Sequence, residues 1–188
     1  MKSIYAILTT IGCSCLPLYG GPPIGTIRSF AVREIGRESK QVQLGTSRAT
    51  VVVFVSALCP MSMDYGYRLK KLNEDFSGQD VRIILVNSNQ NESDTQVEEQ
   101  ISSLRIPVYR DPNGRLAELL AANSTPTAVV LDQSGTIRYS GAIDDARNPT
   151  RVTKQYLRIA IEAILAGKAV VPARTRVLGC SIKRSSVP

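Results

Sequence analysis

The stretch A-T-V-V-V-F-V-S-A-L-C-P, from Ala49 to Pro60, decides the fold. Its first nine residues form a continuous, mostly β-branched apolar run, which is typical of a strand buried on both faces of a sheet. The run ends at Leu58-Cys59-Pro60, and proline favours the first turn of a helix because its missing N–H needs no partner there. The pattern therefore predicts a central strand that leads directly into a helix, with Cys59 at the junction.

Outward from this strand, patterns that fit strands alternate with patterns that fit helices. Strands are predicted at 29–35, 49–57, 81–87, 107–110, 128–132 and 136–143, and helices at 60–76, 93–104, 114–122 and 151–166. The first strand is expected at an edge, and Gln133-Ser134-Gly135 predicts a hairpin between the last two. The apolar face of the last helix is predicted to comprise Val152, Tyr156, Ile159, Ala160, Ala163 and Ile164. We expect an α/β fold with a mixed, largely parallel central sheet covered by helices.

The 188 residues are enough for one domain, flanked by two terminal segments. Residues 1–20 resemble a weak secretory signal, 21–28 form a Pro/Gly-rich linker, 29–167 form the domain and 168–188 a basic C-terminal tail. This organisation predicts export to the periplasm or the extracellular space. A frayed N-terminus is the alternative interpretation of residues 1–20. Thr10-Ile11-Gly12-Cys13 resembles a lipoprotein cleavage site, so contact with a membrane is expected only if Cys13 carries a lipid anchor.

The numbers of cysteine and histidine residues limit the kinds of catalytic and metal sites that the chain can form. The chain has four cysteines and no histidine, which excludes Cys–His nucleophile pairs and histidine-based copper or zinc sites. We expect no metal and no cofactor. Cys13 and Cys15 fall in the signal-like segment, so Cys59 and Cys180 remain in the body of the protein. An even pair in an exported protein suggests a disulfide, either permanent or cycling.

The formal net charge of +7 is concentrated in the tail. The tail has no acidic residue, and its basic residues are Lys168, Arg174, Arg176, Lys183 and Arg184. Such a segment could touch nucleic acid or anionic lipid. No aromatic residue lies between the charges for base stacking, so we expect a solvated, extended tail and no nucleic-acid partner.

The position of Cys59 suits a reactive thiol. A thiolate at a helix N-terminus is stabilised by unpaired backbone N–H groups, and its pKa should fall below the free value of about 8.5. The end of a parallel strand also faces the crevice in which such sheets bind ligands. Thr125-Pro126, directly before another strand, suggests a cis peptide bond in a tight turn, with an ordinary trans turn as the alternative.

Several segments together resemble the redoxin group of thioredoxin-like proteins, close to the alkyl hydroperoxide reductase and thiol-specific antioxidant family. They are V-V-V-F-V-S-A-L-C-P-M-S from Val51, V-R-I-I-L-V-N-S-N from Val81, R-D-P-N-G from Arg110, T-P-T-A-V-V-L-D from Thr125, I-R-Y-S-G-A-I-D-D from Ile137 and G-C-S-I-K from Gly179. The resemblance covers about residues 27–184. It implies a thioredoxin-like fold in which Thr125 and a cis-Pro126 pack against the reactive Cys59.

The chain departs from two patterns of these families. A thioredoxin-type Cys-x-x-Cys would need a thiol at Ser62, which argues against an ordinary dithiol reductase. The peroxiredoxin pattern resembles Pro-x-x-x-Thr-x-x-Cys, and here Ser56 matches the hydroxyl but Val52 replaces the proline. Ser56 either hydrogen-bonds a thiolate or peroxide, or only satisfies the backbone at the strand end. Arg110 and Arg138 are the candidates for the arginine that peroxiredoxins place beside the thiolate.

Cys180 allows three interpretations: it resolves an oxidised or mixed-disulfide Cys59, it staples the tail permanently, or it is idle. The leading hypothesis is an exported thiol-based oxidoreductase that acts on a protein thiol or disulfide, or on a peroxide, and is restored by an external thiol. The alternative is a non-catalytic binding module with a structural Cys59–Cys180 disulfide. Asp144 and Asp145 are interpreted as a polar loop that caps the next helix.

Overall fold

The structure, a computed structural model, describes residues 26–184. Its helices are α1 (Pro60–Asp64), α2 (Gly66–Asp75), α3 (Asp94–Ile101), α4 (Arg115–Leu119) and α5 (Tyr156–Leu165). Its strands are β1 (Ser29–Glu34), β2 (Ser39–Gln43), β3 (Ala49–Phe54), β4 (Val81–Asn87), β5 (Val108–Arg110), β6 (Ser124–Thr125), β7 (Thr127–Asp132), β8 (Ile137–Gly141) and β9 (Cys180–Ser181).

Seven strands form one mixed sheet in the order β2-β1-β5-β4-β3-β7-β8. The pairs β3–β4 and β4–β5 are parallel, whereas the other four neighbouring pairs are antiparallel. The α/β class with a mixed sheet is confirmed, but the expectation of a largely parallel sheet is wrong. The short strands β6 and β9 form a separate antiparallel pair.

The sheet separates two apolar layers. Val51 and Val53 of β3 pack on one side with α2, α3 and α5, whereas Val52 and Phe54 pack on the other side with α4. All residues of β3 are buried, as the continuous apolar run predicts. Burying one such apolar side chain stabilises the fold by about 1.5–3 kcal/mol. β3 is therefore a rigid support for the residues that follow it.

Several predicted boundaries differ from the structure. β1 is not an edge strand, because β2, which has a single buried apolar residue, pairs outside it. The helix predicted at 60–76 is interrupted at Tyr65, and the last helix begins at Tyr156 instead of residue 151. Of its predicted apolar face, Ala160 is buried and Tyr156, Ala163 and Ile164 pack against the core, whereas Ile159 is exposed; the buried residues Leu157 and Ile161 were not predicted.

The tail is not free in solvent. Its backbone lies along β8, then crosses to β6 and reaches the loop after β4 at Lys183, although most side chains of its described residues are exposed. Ile27, assigned to the linker, is buried in the core, so the folded part begins before residue 29.

Candidate functional site

A disulfide joins Cys59 and Cys180 across 121 positions of the chain. Cys59 precedes α1, and its carbonyl accepts a hydrogen bond from the Met63 N–H (3.1 Å). Cys180 lies in β9, and the two Cα atoms are 6.0 Å apart. Cys59 is only 1% exposed, whereas Cys180 is partly exposed. The two cysteines of the described chain are therefore brought together, one of them fully buried.

The loop around Pro126 lies next to the disulfide. The Thr125–Pro126 peptide bond is cis, as the sequence suggests. The Thr125 carbonyl oxygen lies 3.4 Å from Cys59 Sγ, so it can accept a hydrogen bond from the thiol of the reduced protein. Thr125 also pairs with Cys180 in the β6–β9 ladder. One short segment thus contacts both cysteines.

Ser56 is buried, and its hydroxyl forms hydrogen bonds with groups other than the Cys59 sulfur. Ser56 Oγ donates a hydrogen bond to Glu92 Oε1 (2.5 Å) and accepts one from the Leu58 N–H (3.2 Å). The Ser56 N–H in turn donates to Ser62 Oγ (3.2 Å). Ser62, which stands where a second thiol would be expected, therefore holds the strand end instead.

Glu92 is the main residue of the site that the sequence analysis missed. Its side chain is buried and also accepts hydrogen bonds from the Ala57 N–H (2.8 Å) and Asn87 Nδ2 (2.7 Å). The only sequence signal is the polar run N-S-N-Q-N-E directly after a buried strand. That run does not reveal which of its side chains turns inward.

Arg110 belongs to the same network, and its hydrogen bonds and ion pair are with residues 87–94. Its guanidinium donates to Asn87 Oδ1 (2.5 Å) and to the Glu92 carbonyl (2.7 Å), and it lies 3.3 Å from Asp94. Burial lowers the pKa of Arg110, and the nearby carboxylate of Asp94 opposes this shift.

Arg138 lies at the far end of the hairpin. It pairs with Asp132 (3.1 Å), the last residue of β7, whereas Pro126 directly precedes the first residue of that strand. Six residues of extended strand separate these ends by roughly 20 Å, so Arg138 cannot contact Cys59.

The tail is held on both sides of Cys180. Upstream, the Thr175 N–H donates to the Ser140 carbonyl (3.2 Å), and Thr175 Oγ1 accepts from the Ala142 N–H (2.9 Å). Downstream, Ile182 is buried and its N–H donates to the Asn123 carbonyl (2.9 Å). The disulfide is therefore one of several attachments of the tail.

A groove of about 200 Å³ opens beside Pro126. Its lining includes the apolar residues Met61, Ile143 and Leu178, with Arg176 on the tail. Leu178 is 65% exposed. Asp144, Asp145 and Arg147 also line the groove, so it offers both apolar and charged contacts to part of a peptide chain.

Asp144 and Asp145 hold the loop before α5 and do not cap the helix. Asp144 is buried, accepts from Tyr65 Oη (2.9 Å) and pairs with Arg68 (2.5 Å). Asp145 accepts from the Thr153 side chain and N–H, and these hydrogen bonds lower its pKa to about 2. Desolvation, followed by the contact with Asp144, raises the pKa of Tyr65 to about 12.

A family model described as the AhpC/TSA family matches residues 27–140. The chain belongs to the AhpC/TSA family. The resemblance read from the sequence is thereby confirmed. No curated protein matches this AhpC/TSA family member.

Solved structures resemble this AhpC/TSA protein over most of its length. A hypothetical protein of Sinorhizobium meliloti 1021 has 27% identity and a TM-score of 0.77, with 86% of this chain and 93% of that one covered. A protein of Chlorobium tepidum assigned as a thiol:disulfide interchange protein DsbE has 15% identity and a TM-score of 0.60, with 74% and 95% covered. The exposed lipoprotein thioredoxin of Streptococcus pneumoniae has 16% identity and a TM-score of 0.56, with 71% and 98% covered. The fold is thioredoxin-like, and the family supports an oxidoreductase activity in general.

The remaining expectations concern membranes and metals. Cys13, Cys15 and the signal-like segment lie outside the described residues. Within residues 26–184, no helix is both long and apolar enough to span a bilayer. The same residues contain no group of three or more Cys, Asp or Glu side chains arranged to hold a metal ion.

Proposed function

We propose that this AhpC/TSA family member is an exported thiol–disulfide oxidoreductase. Cys59 is the attacking thiolate and Cys180 is the resolving thiol. The observation that carries the proposal is the pairing of Cys59 with a cysteine on a tail that has its own hydrogen bonds to the sheet. Such a tail keeps the second thiol close to the first after the disulfide is reduced.

The reaction proceeds in two exchanges. The Cys59 thiolate attacks one sulfur of a substrate disulfide, so a mixed disulfide forms and the other substrate sulfur leaves as a thiolate. The Cys180 thiolate then attacks Cys59 Sγ, which forms the Cys59–Cys180 disulfide and releases the second substrate thiolate. The substrate gains two electrons, and two thiols of an external reductant later restore the protein.

Two features favour a disulfide over a peroxide as the substrate. The Ser56 hydroxyl donates to Glu92 and the Arg110 guanidinium is held by Asn87, so both groups of a peroxide site have other partners. The groove beside Pro126 offers apolar contacts suited to a peptide that carries a disulfide. We therefore propose a protein disulfide as the substrate class.

Export is part of the proposal. Protein disulfides, the proposed substrates, form and persist mainly in oxidising compartments such as the periplasm and the extracellular space. Residues 1–20 have the order of a secretory signal. The similar structure from Streptococcus pneumoniae is that of an exposed lipoprotein. A lipid on Cys13 would attach this protein to a membrane in the same manner.

The burial of Cys59 favours one rival function, a binding module in which the disulfide is only structural. At 1% exposure, the sulfur of Cys59 is shielded from an incoming reagent while the disulfide is intact. This rival predicts that Cys59 resists iodoacetamide after mild reduction, whereas the oxidoreductase proposal predicts rapid alkylation.

The decisive experiment traps the mixed disulfide. Reduced wild-type protein, Cys180→Ser and Cys59→Ser are mixed with glutathione disulfide and examined by mass spectrometry after acid quenching. We expect the wild type to form the internal disulfide, Cys180→Ser to accumulate glutathione on Cys59, and Cys59→Ser to react slowly. Faster stoichiometric consumption of hydrogen peroxide than of glutathione disulfide would overturn the assigned substrate class.

A further inference from the structure

One polar loop, residues 87–92, contacts the chain on both sides of the disulfide. At one end, the Glu92 carboxylate accepts from the N–H of Ala57, two residues before Cys59. In the middle, Asn89 Oδ1 accepts from the Lys183 N–H (2.8 Å), and the Gln90 N–H donates to the Lys183 carbonyl (2.8 Å). Lys183 lies three residues after Cys180. The loop therefore links the segments that carry the two sulfurs.

Asn89 is held rigidly in this loop. Its N–H donates to Asn87 Oδ1 (3.2 Å), and its carbonyl accepts from the Arg110 guanidinium (3.2 Å). The residue is 2% exposed, so the direction of its side chain is fixed by its surroundings. A rigid acceptor of this kind can define where the tail lies.

Packing alone does not account for an asparagine at this position. The side-chain nitrogen of Asn89 is buried and has no hydrogen-bond partner among the described residues. An unpaired buried amide group destabilises a fold. The contact that uses the amide is the one from Asn89 Oδ1 to the tail, which indicates that the side chain serves the tail.

We infer that Asn89 is a positioning residue for Cys180, a role that rests on the proposed function. Asn89 and Gln90 fix residue 183, the Asn123 carbonyl fixes residue 182, and Cys180 is thereby kept against Cys59 in the reduced protein. A thiol on a freely moving tail would have an effective concentration near the millimolar range, whereas a fixed thiol exceeds it. Asn89 thus accelerates the second exchange without touching either sulfur.

The test removes the same hydrogen bond from each side. Asn89→Ala removes the acceptor, and Lys183→Pro removes the donor while changing only an exposed tail residue. Lys183→Ala keeps the N–H and is the matched control. Closure, the attack of Cys180 on Cys59 that forms the internal disulfide, is followed as the decay of the glutathione mixed disulfide on Cys59. The equilibrium between the reduced protein and the internal disulfide is measured in glutathione redox buffers.

We expect closure to slow roughly two- to tenfold in Asn89→Ala and in Lys183→Pro, the range set by one net hydrogen bond. The equilibrium constant for the internal disulfide should fall by up to the same factor, and tenfold corresponds to about 30 mV. The double variant should be no slower than the slower single variant, because both changes remove one bond. Alkylation of Cys59 in the Cys180→Ser background should be unaffected by Lys183→Pro.

Closure in Lys183→Pro at the rate of Lys183→Ala would overturn this inference, as would additive effects in the double variant. Lys183→Pro keeps the test decisive if Asn89→Ala does not fold, because the loop is then unchanged. A Cys180→Ser protein that reduces its substrate as fast as the wild type would instead overturn the proposed function itself.

Discussion

Replacement of Glu92 tests how strongly the buried network holds the strand end before Cys59. In the wild type, the carboxylate accepts from Ser56 Oγ, the Ala57 N–H and Asn87 Nδ2. Glu92→Ala leaves these buried donors without an acceptor. The serine hydroxyl can rotate to another partner, but the two N–H groups cannot. At about 1–3 kcal/mol for each unsatisfied group, the expected loss in the free energy of unfolding is about 2–6 kcal/mol.

Glu92→Gln separates the loss of the acceptor from the loss of the charge. The glutamine oxygen can receive both N–H groups, because the Ala57 N–H and Asn87 Nδ2 donate to the same carboxylate oxygen. The glutamine nitrogen then faces Ser56, whose hydroxyl can rotate to accept. The Ala57 and Asn87 N–H groups both keep an acceptor, so we expect a loss of about 1–2 kcal/mol, smaller than in Glu92→Ala, from the weaker, uncharged hydrogen bonds.

The assay is urea unfolding at pH 7 with the disulfide intact, followed by far-UV circular dichroism. Glu99→Ala, at an exposed site on α3, is the matched control and should change the free energy of unfolding by less than about 0.5 kcal/mol. Equal losses in Glu92→Ala and Glu92→Gln, or a loss below about 1 kcal/mol in Glu92→Ala, would refute the reasoning.

Three further predictions address the tail, the disulfide and pH. Gly179→Ala should slow closure of the internal disulfide in the glutathione assay, because a Cβ at this site would clash with the Thr125 carbonyl; closure at the wild-type rate would contradict this contact. Reduction of the disulfide should lower the free energy of unfolding in urea by about 5 kcal/mol, the chain-entropy value for a loop of 121 residues, and an unchanged value would disprove it. Stability should decline as the pH rises from about 10 towards 12, because the pKa of Tyr65 is about 12 in the folded protein and about 10 when unfolded. Tyr65→Phe should decline less steeply in urea titrations between pH 9 and 11, and an identical slope would argue against the assignment.

The central part of the fold could be predicted from the sequence because its signals are local. The run from Ala49 to Ala57 is continuous and apolar, and Pro60 marks the helix start. β2 could not be predicted in this way, because its sequence S-K-Q-V-Q has only one residue, Val42, that is buried. It forms a strand because it pairs with β1.

The site could be predicted only in part, because its remaining contacts are distant in the chain. The cis bond before Pro126 is suggested by a local dipeptide directly before a strand, although an ordinary trans turn fits the same residues. The partner of Ser56 is Glu92, 36 positions away, and the polar run around Glu92 resembles an exposed loop. The basic side chains of the tail predict a solvated segment. Its backbone, however, is hydrogen-bonded to the domain, and the amino-acid composition does not indicate such backbone contacts.

Because Ser62 replaces a second cysteine in the helix, the partner of Cys59 lies far away in the chain, and this determines which part of the surface changes when the disulfide is reduced. A disulfide between near neighbours in one helix would leave the rest of the surface almost unchanged when it opens or closes. Here the bond spans the chain from the end of β3 to the C-terminal tail, so electron transfer at a buried sulfur adds or removes a covalent tether on an exposed, positively charged segment. The hydrogen bonds of the tail keep its backbone in place in both states, so a partner that binds this segment would distinguish them by how easily the tail can be pulled from the sheet, with no need to reach the sulfur atoms.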